Sequence, residues 1–167
     1  TAVVRHAGAH RIVVTDMSAG RLALADVKGS DLVVDVSAGQ TLRDAQGQLG
    51  MAEGFDIALE MSGSPAAVED LLANMNHGGR VAMLGLPKDR YAIDWGRVIT
   101  HMITLRGIYG REMFETWYLM GSMLATSPEL RTAVSSVVTG RYAAAEWQAA
   151  FDETRSGTGG KVVLDWS

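Results

Sequence analysis

Short runs of apolar, mostly β-branched residues recur along the chain, and each run is bounded by Gly, Asp or Ser. The runs are continuous rather than alternating with polar residues, which is typical of strands buried on both faces of a parallel sheet. The pattern predicts five strands in the first two thirds of the chain, at Ile12–Thr15, Leu32–Val36, Phe55–Leu59, Val81–Leu84 and Ile103–Ile108.

Stretches with helical spacing of apolar residues lie between these runs. Ser18 can cap the first helix, Thr41 can start the second, which Gly47 weakens, and Pro65 suits the first turn of the third. Behind Pro65 the apolar residues continue at helical spacing as far as Met75. The alternation of strand and helix predicts an α/β fold with a doubly wound parallel sheet of the Rossmann type.

The pattern changes after Tyr109. We expect a long helix over about Glu112–Ala125, a turn around TSPEL, a strand VVTGRY, a helix over Ala143–Arg155 and, after the glycine-rich SGTGG, a last strand KVVLDW. We therefore expect one Rossmann-type α/β domain at residues 1–136 and an appended helix-strand segment at residues 137–167 that returns to a different layer.

Composition excludes several classes of partner. The 167 residues are 47% hydrophobic and 20% charged, and the net charge of −4 provides no electrostatic footprint for nucleic acid. Without cysteine there is no disulfide and no thiolate metal site. The apolar runs are far shorter than the ~20 residues of a membrane span, and the first residues lack the apolar core of a signal peptide. We expect a cytoplasmic protein with no nucleic-acid or membrane partner.

Asp16 ends the first predicted strand, where a dinucleotide-binding unit carries the acid that binds the adenosine ribose. In such a unit a strand and a glycine-rich phosphate loop precede that acid by about 20 residues. Counting back from Asp16 runs past Thr1, so residues 1–8 would be the last turns of the first helix, ended by Gly8. The first strand and its loop would then lie upstream, so we expect either an incomplete domain or a different fold. A helix cap or a solvated turn is the alternative interpretation of Asp16.

Five segments resemble the C-terminal, cofactor-binding half of the zinc-dependent medium-chain dehydrogenase/reductase family, and in particular its threonine-oxidising branch. They are LGMAEGFDIALEMSG, MNHGGRVAMLGLP, IDWGRVI, LRGIYGREMFETWY and RSGTGGKVVLDW. The similarity runs nearly from end to end, and GIYGREMFETWY is far more specific than a Rossmann pattern alone.

The resemblance implies NAD as the cofactor. Asp16 would accept hydrogen bonds from the adenosine ribose hydroxyls and repel a 2′-phosphate, and Arg21 would lie beside the same ribose. The nicotinamide half would contact two turns that follow strands, formed by Leu84, Gly85 and Leu86 and by Ile108 and Tyr109. Taken alone, Arg21 is a surface helix residue, and Leu84 and Leu86 are core residues.

The histidines are interpreted without a metal. His6 and His10 have the i,i+4 spacing of a metal pair, but no carboxylate partner is near them in the sequence, so they are taken as solvated. His77 is assigned to a turn and His101 to a helix end. The sequence therefore predicts no catalytic and no metal-binding residue in this chain.

The resemblance further implies oxidation of L-threonine to 2-amino-3-oxobutanoate by hydride transfer to NAD, with the hydroxyl polarised by zinc. The zinc ligands would come from an N-terminal catalytic domain outside this chain, toward which residues 137–167 would return, so the chain alone is not expected to be active. The resemblance also implies a homodimer through the edge strand Ile103–Ile108, with a tetramer as a dimer of dimers. Two alternatives remain open: the cofactor domain of another zinc-dependent alcohol or polyol dehydrogenase, and a binding or assembly module without catalysis.

Overall fold

The structure is a computed structural model that describes residues 1–110, 112–157 and 159–167. Arg111 and Thr158, which fall within two of the motifs quoted above, lie outside the described residues. The α-helices are α1 (Ala2–His6), α2 (Ala19–Val27), α3 (Leu42–Leu49), α4 (Pro65–Ala73), α5 (Trp95–Thr100), α6 (Glu115–Thr126), α7 (Pro128–Ser135) and α8 (Trp147–Ser156). The strands are β1 (Val13–Asp16), β2 (Leu32–Asp35), β3 (Phe55–Glu60), β4 (Met75–Met83), β5 (Thr104–Gly107), β6 (Val138–Ala143) and β7 (Lys161–Asp165).

The chain forms two compact units that do not follow the order of the sequence. The first unit comprises residues 1–40 and 114–167, and the second comprises residues 41–113. The division at residue 136 stays a prediction. All strand pairs in both units are parallel, as the continuous apolar runs predicted.

In the first unit β1 pairs with β2, and β6 pairs with β7. Ser18 caps α2 by accepting a hydrogen bond from the Arg21 amide, as expected from the sequence. The expected helical turn at the start of the chain is present as α1, and Gly8 follows it with a φ of +94° that favours glycine. Asp31 joins α1 to the sheet, because its carboxylate accepts from Arg5 at 2.6 Å and from the Ile12 amide at 2.7 Å.

In the second unit the strand order is β3-β4-β5. Thr41 starts α3 with a capping box to Asp44, and Ser64 caps α4 with Pro65 in its first turn. Helices and strands enclose one apolar core whose most buried members are Val68, Leu72, Met75, Val81, Val98 and Ile103.

Three expectations about the elements were wrong. Strand β4 begins at Met75, not at Val81, because Met75 pairs with Phe55 and the pairing resumes at Arg80 after a register shift. His77 therefore lies in a strand rather than in a turn. The expected turn TSPEL starts the helix α7, which Ser127 caps through a bond from the Leu130 amide.

The third error concerns burial in β3, where Ile57 and Leu59 are 59% and 44% exposed although both faces were expected to be covered. The strand lies at the edge of its sheet, where fewer neighbours cover its side chains.

Among the described residues, no helix is long and apolar enough to cross a membrane.

Candidate functional site

The carboxyl end of β1 places Asp16 in the turn that leads into α2. Its Oδ1 accepts hydrogen bonds from the amides of Met17 at 2.7 Å and Ser18 at 2.9 Å. Its Oδ2 lies 3.9 Å from Nη1 of Arg21, whose side chain is 58% exposed. One oxygen of Asp16 thus holds the turn, as the alternative interpretation proposed, and the other is available to a ligand together with Arg21.

A second carboxylate stands beside Asp16, because Asp35 is its partner in the β1-β2 register. Asp35 accepts hydrogen bonds from the Ser37 hydroxyl at 2.5 Å and from the amides of Ser37 and Ala38. These bonds, chiefly the one from the Ser37 hydroxyl, hold the pKa of Asp35 below its usual value. Two neighbouring strands therefore end in acids, which makes this edge unfavourable for a phosphate.

The turn formed by Leu84, Gly85 and Leu86 follows β4 directly. The amides of Leu84 and Gly85 both donate to the backbone oxygen of Glu60, at 2.8 and 3.0 Å. Leu84 and Leu86 were core residues in the alternative interpretation, but Leu86 is 88% exposed and Leu84 is also exposed. The turn therefore presents apolar side chains to solvent at the carboxyl end of its strand.

Ile108 and Tyr109 follow β5 in the same unit. The Ile108 amide donates to the Met83 oxygen at 2.9 Å, which places Ile108 next to the end of β4. Tyr109 is 72% exposed. The five residues expected at the nicotinamide half thus lie after two adjacent strands of the second unit, whereas Asp16 and Arg21 belong to the first unit.

Neighbouring atoms of the protein itself leave no room for a side chain at Gly85. A Cβ at this position would overlap the Gly63 nitrogen and Oε2 of Glu60. Gly63 in turn has a φ of +69°, and a Cβ there would approach the Leu86 oxygen to 2.5 Å. The backbone of the turn after β3 therefore approaches Gly85 too closely to allow a Cβ there.

Glu60 is the residue of this region that the sequence analysis missed. It ends β3, is only 3% exposed, and accepts hydrogen bonds from Ser62 and Gly63. An acid followed by Met-Ser-Gly at a strand end is a recognisable turn signal, but nothing local reveals that this acid is buried.

The histidines form no metal site with other described residues. His6 and His10 are exposed, as expected. The rings of His77 and His101 stack with their centroids 4.3 Å apart, and desolvation together with Arg97 and His77 lowers the pKa of His101. Among the described residues no group of three or more His, Cys, Asp or Glu side chains could hold a metal ion.

Comparison with known proteins gives consistent findings. The sequence model of the family described as zinc-binding dehydrogenase matches residues 1–126. The L-threonine 3-dehydrogenase of Streptomyces coelicolor is 54% identical over 166 residues, which is 99% of this chain and 47% of that protein. The chain thus spans about half the length of the curated relatives that it matches.

Solved structures share the fold at low identity. A Thermotoga maritima alcohol dehydrogenase superposes with a TM-score of 0.83 at 22% identity, over 98% of this chain and 45% of that one. A Sinorhizobium meliloti structure described as a zinc-binding dehydrogenase bound to NADP has a TM-score of 0.77 at 20% identity, over 97% and 47% of the two chains.

Proposed function

Because this chain belongs to the zinc-binding dehydrogenase family, we propose that it is the NAD-binding portion of an enzyme that oxidises L-threonine to 2-amino-3-oxobutanoate. The observation that carries this proposal is the end-to-end similarity to L-threonine 3-dehydrogenases. The fold alone carries less, because the same fold supports many substrates.

The adenosine ribose is assigned to Asp16 and Arg21. The ribose hydroxyls donate to Oδ2 of Asp16, the oxygen that the turn does not use. A 2′-phosphate on this ribose would face two carboxylates, Asp16 and Asp35, against one exposed guanidinium. The charge balance favours NAD over NADP.

The nicotinamide half is assigned to the turn of Leu84, Gly85 and Leu86, with Ile108 and Tyr109 beside it. The exposed leucines offer an apolar surface to the ring, and the amides of Leu84 and Gly85 are already bonded within the protein. Such a rigid turn orients a ring without losing much conformational entropy. NAD, when bound, supplies the hydride acceptor.

Zinc does not fit the described part of this chain, which offers no set of three ligands. The zinc that polarises the threonine hydroxyl would be held by residues outside this chain. The role of the present residues is accordingly to bind and orient the cofactor, and the appended residues 137–167 return toward the domain that carries out the chemistry.

Assembly is assigned to β5, at the edge of the β3-β4-β5 sheet. The backbone N–H of Ile108 points to β4. Because backbone N–H groups alternate in direction along a strand, those of Thr104 and Arg106 point to β4 as well, and those of Leu105 and Gly107 point outward. We place a homodimer on this outward edge, with a tetramer as a dimer of dimers. A proline that removes an outward N–H of this edge therefore belongs at Leu105 or Gly107.

The test of the function uses the complete protein that carries this chain. Formation of NADH or NADPH is measured with L-threonine, 2,3-butanediol and benzyl alcohol, each with NAD and with NADP. We expect the highest kcat/KM for L-threonine with NAD. A higher value for either alcohol supports the alternative of another zinc alcohol dehydrogenase, and cofactor binding without turnover of any substrate supports the non-catalytic module.

A further inference from the structure

We propose that Glu60 is a positioning residue, which sets the backbone of the turn Leu84–Leu86 and thereby the seat of the nicotinamide ring. The proposal rests on the proposed function, because that function assigns the turn to the nicotinamide half. Glu60 itself touches neither cofactor nor substrate in this proposal. It acts through the two turns that follow β3 and β4.

The burial of Glu60 is the first observation. Its side chain lies at the carboxyl end of β3 and only 3% of the residue is exposed. Burying a carboxylate costs much free energy unless hydrogen bonds compensate for the lost water. A strand end that needed only a turn cap could use a half-buried acid, as β1 does with Asp16, whose side chain is 28% exposed.

The hydrogen bonds of Glu60 join both turns. Oε1 accepts from the Ser62 amide at 2.8 Å, the Ser62 hydroxyl at 2.5 Å and the Gly63 amide at 3.0 Å, and Oε2 accepts from the same Gly63 amide at 3.2 Å. The backbone oxygen accepts from the amides of Leu84 and Gly85. One residue thus holds the turn after β3 with its side chain and the turn after β4 with its backbone.

The two turns are in direct backbone contact. Gly85 has no room for a Cβ because the Gly63 nitrogen and Oε2 of Glu60 occupy that space. Gly63 has no room either, because the Leu86 oxygen would lie 2.5 Å from its Cβ. Any shift of the turn that Glu60 holds is therefore transmitted to Gly85 and Leu86.

The experiment compares two ligands in the complete protein. NAD contains both halves of the cofactor, whereas ADP-ribose lacks the nicotinamide ring. Dissociation constants for both are measured by calorimetry for the parent, E60A and E60Q, at a temperature where all three are folded by circular dichroism. D56A is the matched control, because it removes an exposed acid near the opposite end of the same strand.

We expect E60A to weaken NAD about tenfold, the scale of one or two hydrogen bonds, and to leave ADP-ribose within about twofold of the parent. E60Q keeps an oxygen at the Oε1 position for Ser62 and Gly63, so it should regain most of the NAD affinity. D56A should change neither constant. If E60A does not fold, E60D takes its place, because it keeps the carboxylate but withdraws it from both amides.

The outcomes separate the two proposals. Equal weakening of NAD and ADP-ribose, or no change in either, overturns the positioning role, because a general structural defect does not distinguish the ligands. An E60Q as weak as E60A also overturns it. A parent protein that binds neither NAD nor ADP-ribose instead refutes the proposed function.

Discussion

Replacing Asp16 by Asn separates the two tasks of this side chain. Oδ1 holds the turn through the amides of Met17 and Ser18, whereas Oδ2 is the oxygen assigned to the ribose hydroxyls. Asn keeps an oxygen for the turn and presents an amide nitrogen, which cannot accept a hydrogen bond, in place of Oδ2. The variant D16N therefore removes the ribose acceptor and leaves the start of α2 intact.

The magnitude follows from these contacts. A hydrogen bond to a charged group contributes about 1.5 to 3 kcal/mol, which corresponds to roughly 10- to 150-fold in the Kd for NAD. The lost ion pair costs less than about 1 kcal/mol of folding stability, because Arg21 is 58% exposed and its Nη1 lies 3.9 Å from the carboxylate. The affinity for NADP should hold or improve, since one negative charge near the 2′-phosphate is gone.

The assay is calorimetric titration of the complete protein with NAD and with NADP. The control is D26N, which changes the net charge equally at an exposed position of the following helix α2. We expect D16N to reduce the ratio of the Kd for NADP to the Kd for NAD, and D26N to leave that ratio unchanged. An unchanged NAD affinity and an unchanged ratio in D16N, or an equal effect of D26N, would refute the ribose assignment.

Three further predictions concern stability and assembly. Hydrogen bonds from the Ile12 amide and then Arg5 hold the pKa of Asp31 below its usual value. The Tm deficit of D31N should therefore be present at neutral pH and shrink as the pH falls below about 4. A deficit that stays constant down to acid pH contradicts this. In urea unfolding, G85A should lower the free energy of unfolding by about 1 to 3 kcal/mol, because the added Cβ overlaps Gly63. G47A lies in α3 with open space around it and should raise the free energy of unfolding by about 0.5 to 1 kcal/mol. A change of the same sign in both variants would contradict the close packing at Gly85. G107P removes an outward N–H of β5 and should lower the mass measured by light scattering, while G107A, which keeps that N–H, should retain the parent mass; an unchanged mass for G107P places the interface elsewhere.

The elements that local chemistry decides could be predicted from the sequence. Ser18, Thr41 and Pro65 start helices where their side chains or rings suit a first turn, and these helices are present. The continuous apolar runs correctly indicated parallel strands, although β3 and β5 are not buried on both faces as such runs would suggest. Of the candidate site, Asp16 ends β1 and the two candidate turns follow β4 and β5, as the sequence indicated, while the roles of these residues stay predictions.

What the sequence alone left undecided depends on neighbours distant in the chain. Met75 fits the helical spacing of α4 as well as a strand, and its pairing with Phe55 makes it part of β4. In the sequence, Glu60 resembles any acid before a turn, and Gly85 resembles a glycine that allows close contact with a ligand. Only the tertiary structure buries the Glu60 carboxylate and places Gly63 against Gly85. Burial and close backbone contact are properties of two adjacent strands together, so neither strand's own residues can specify them.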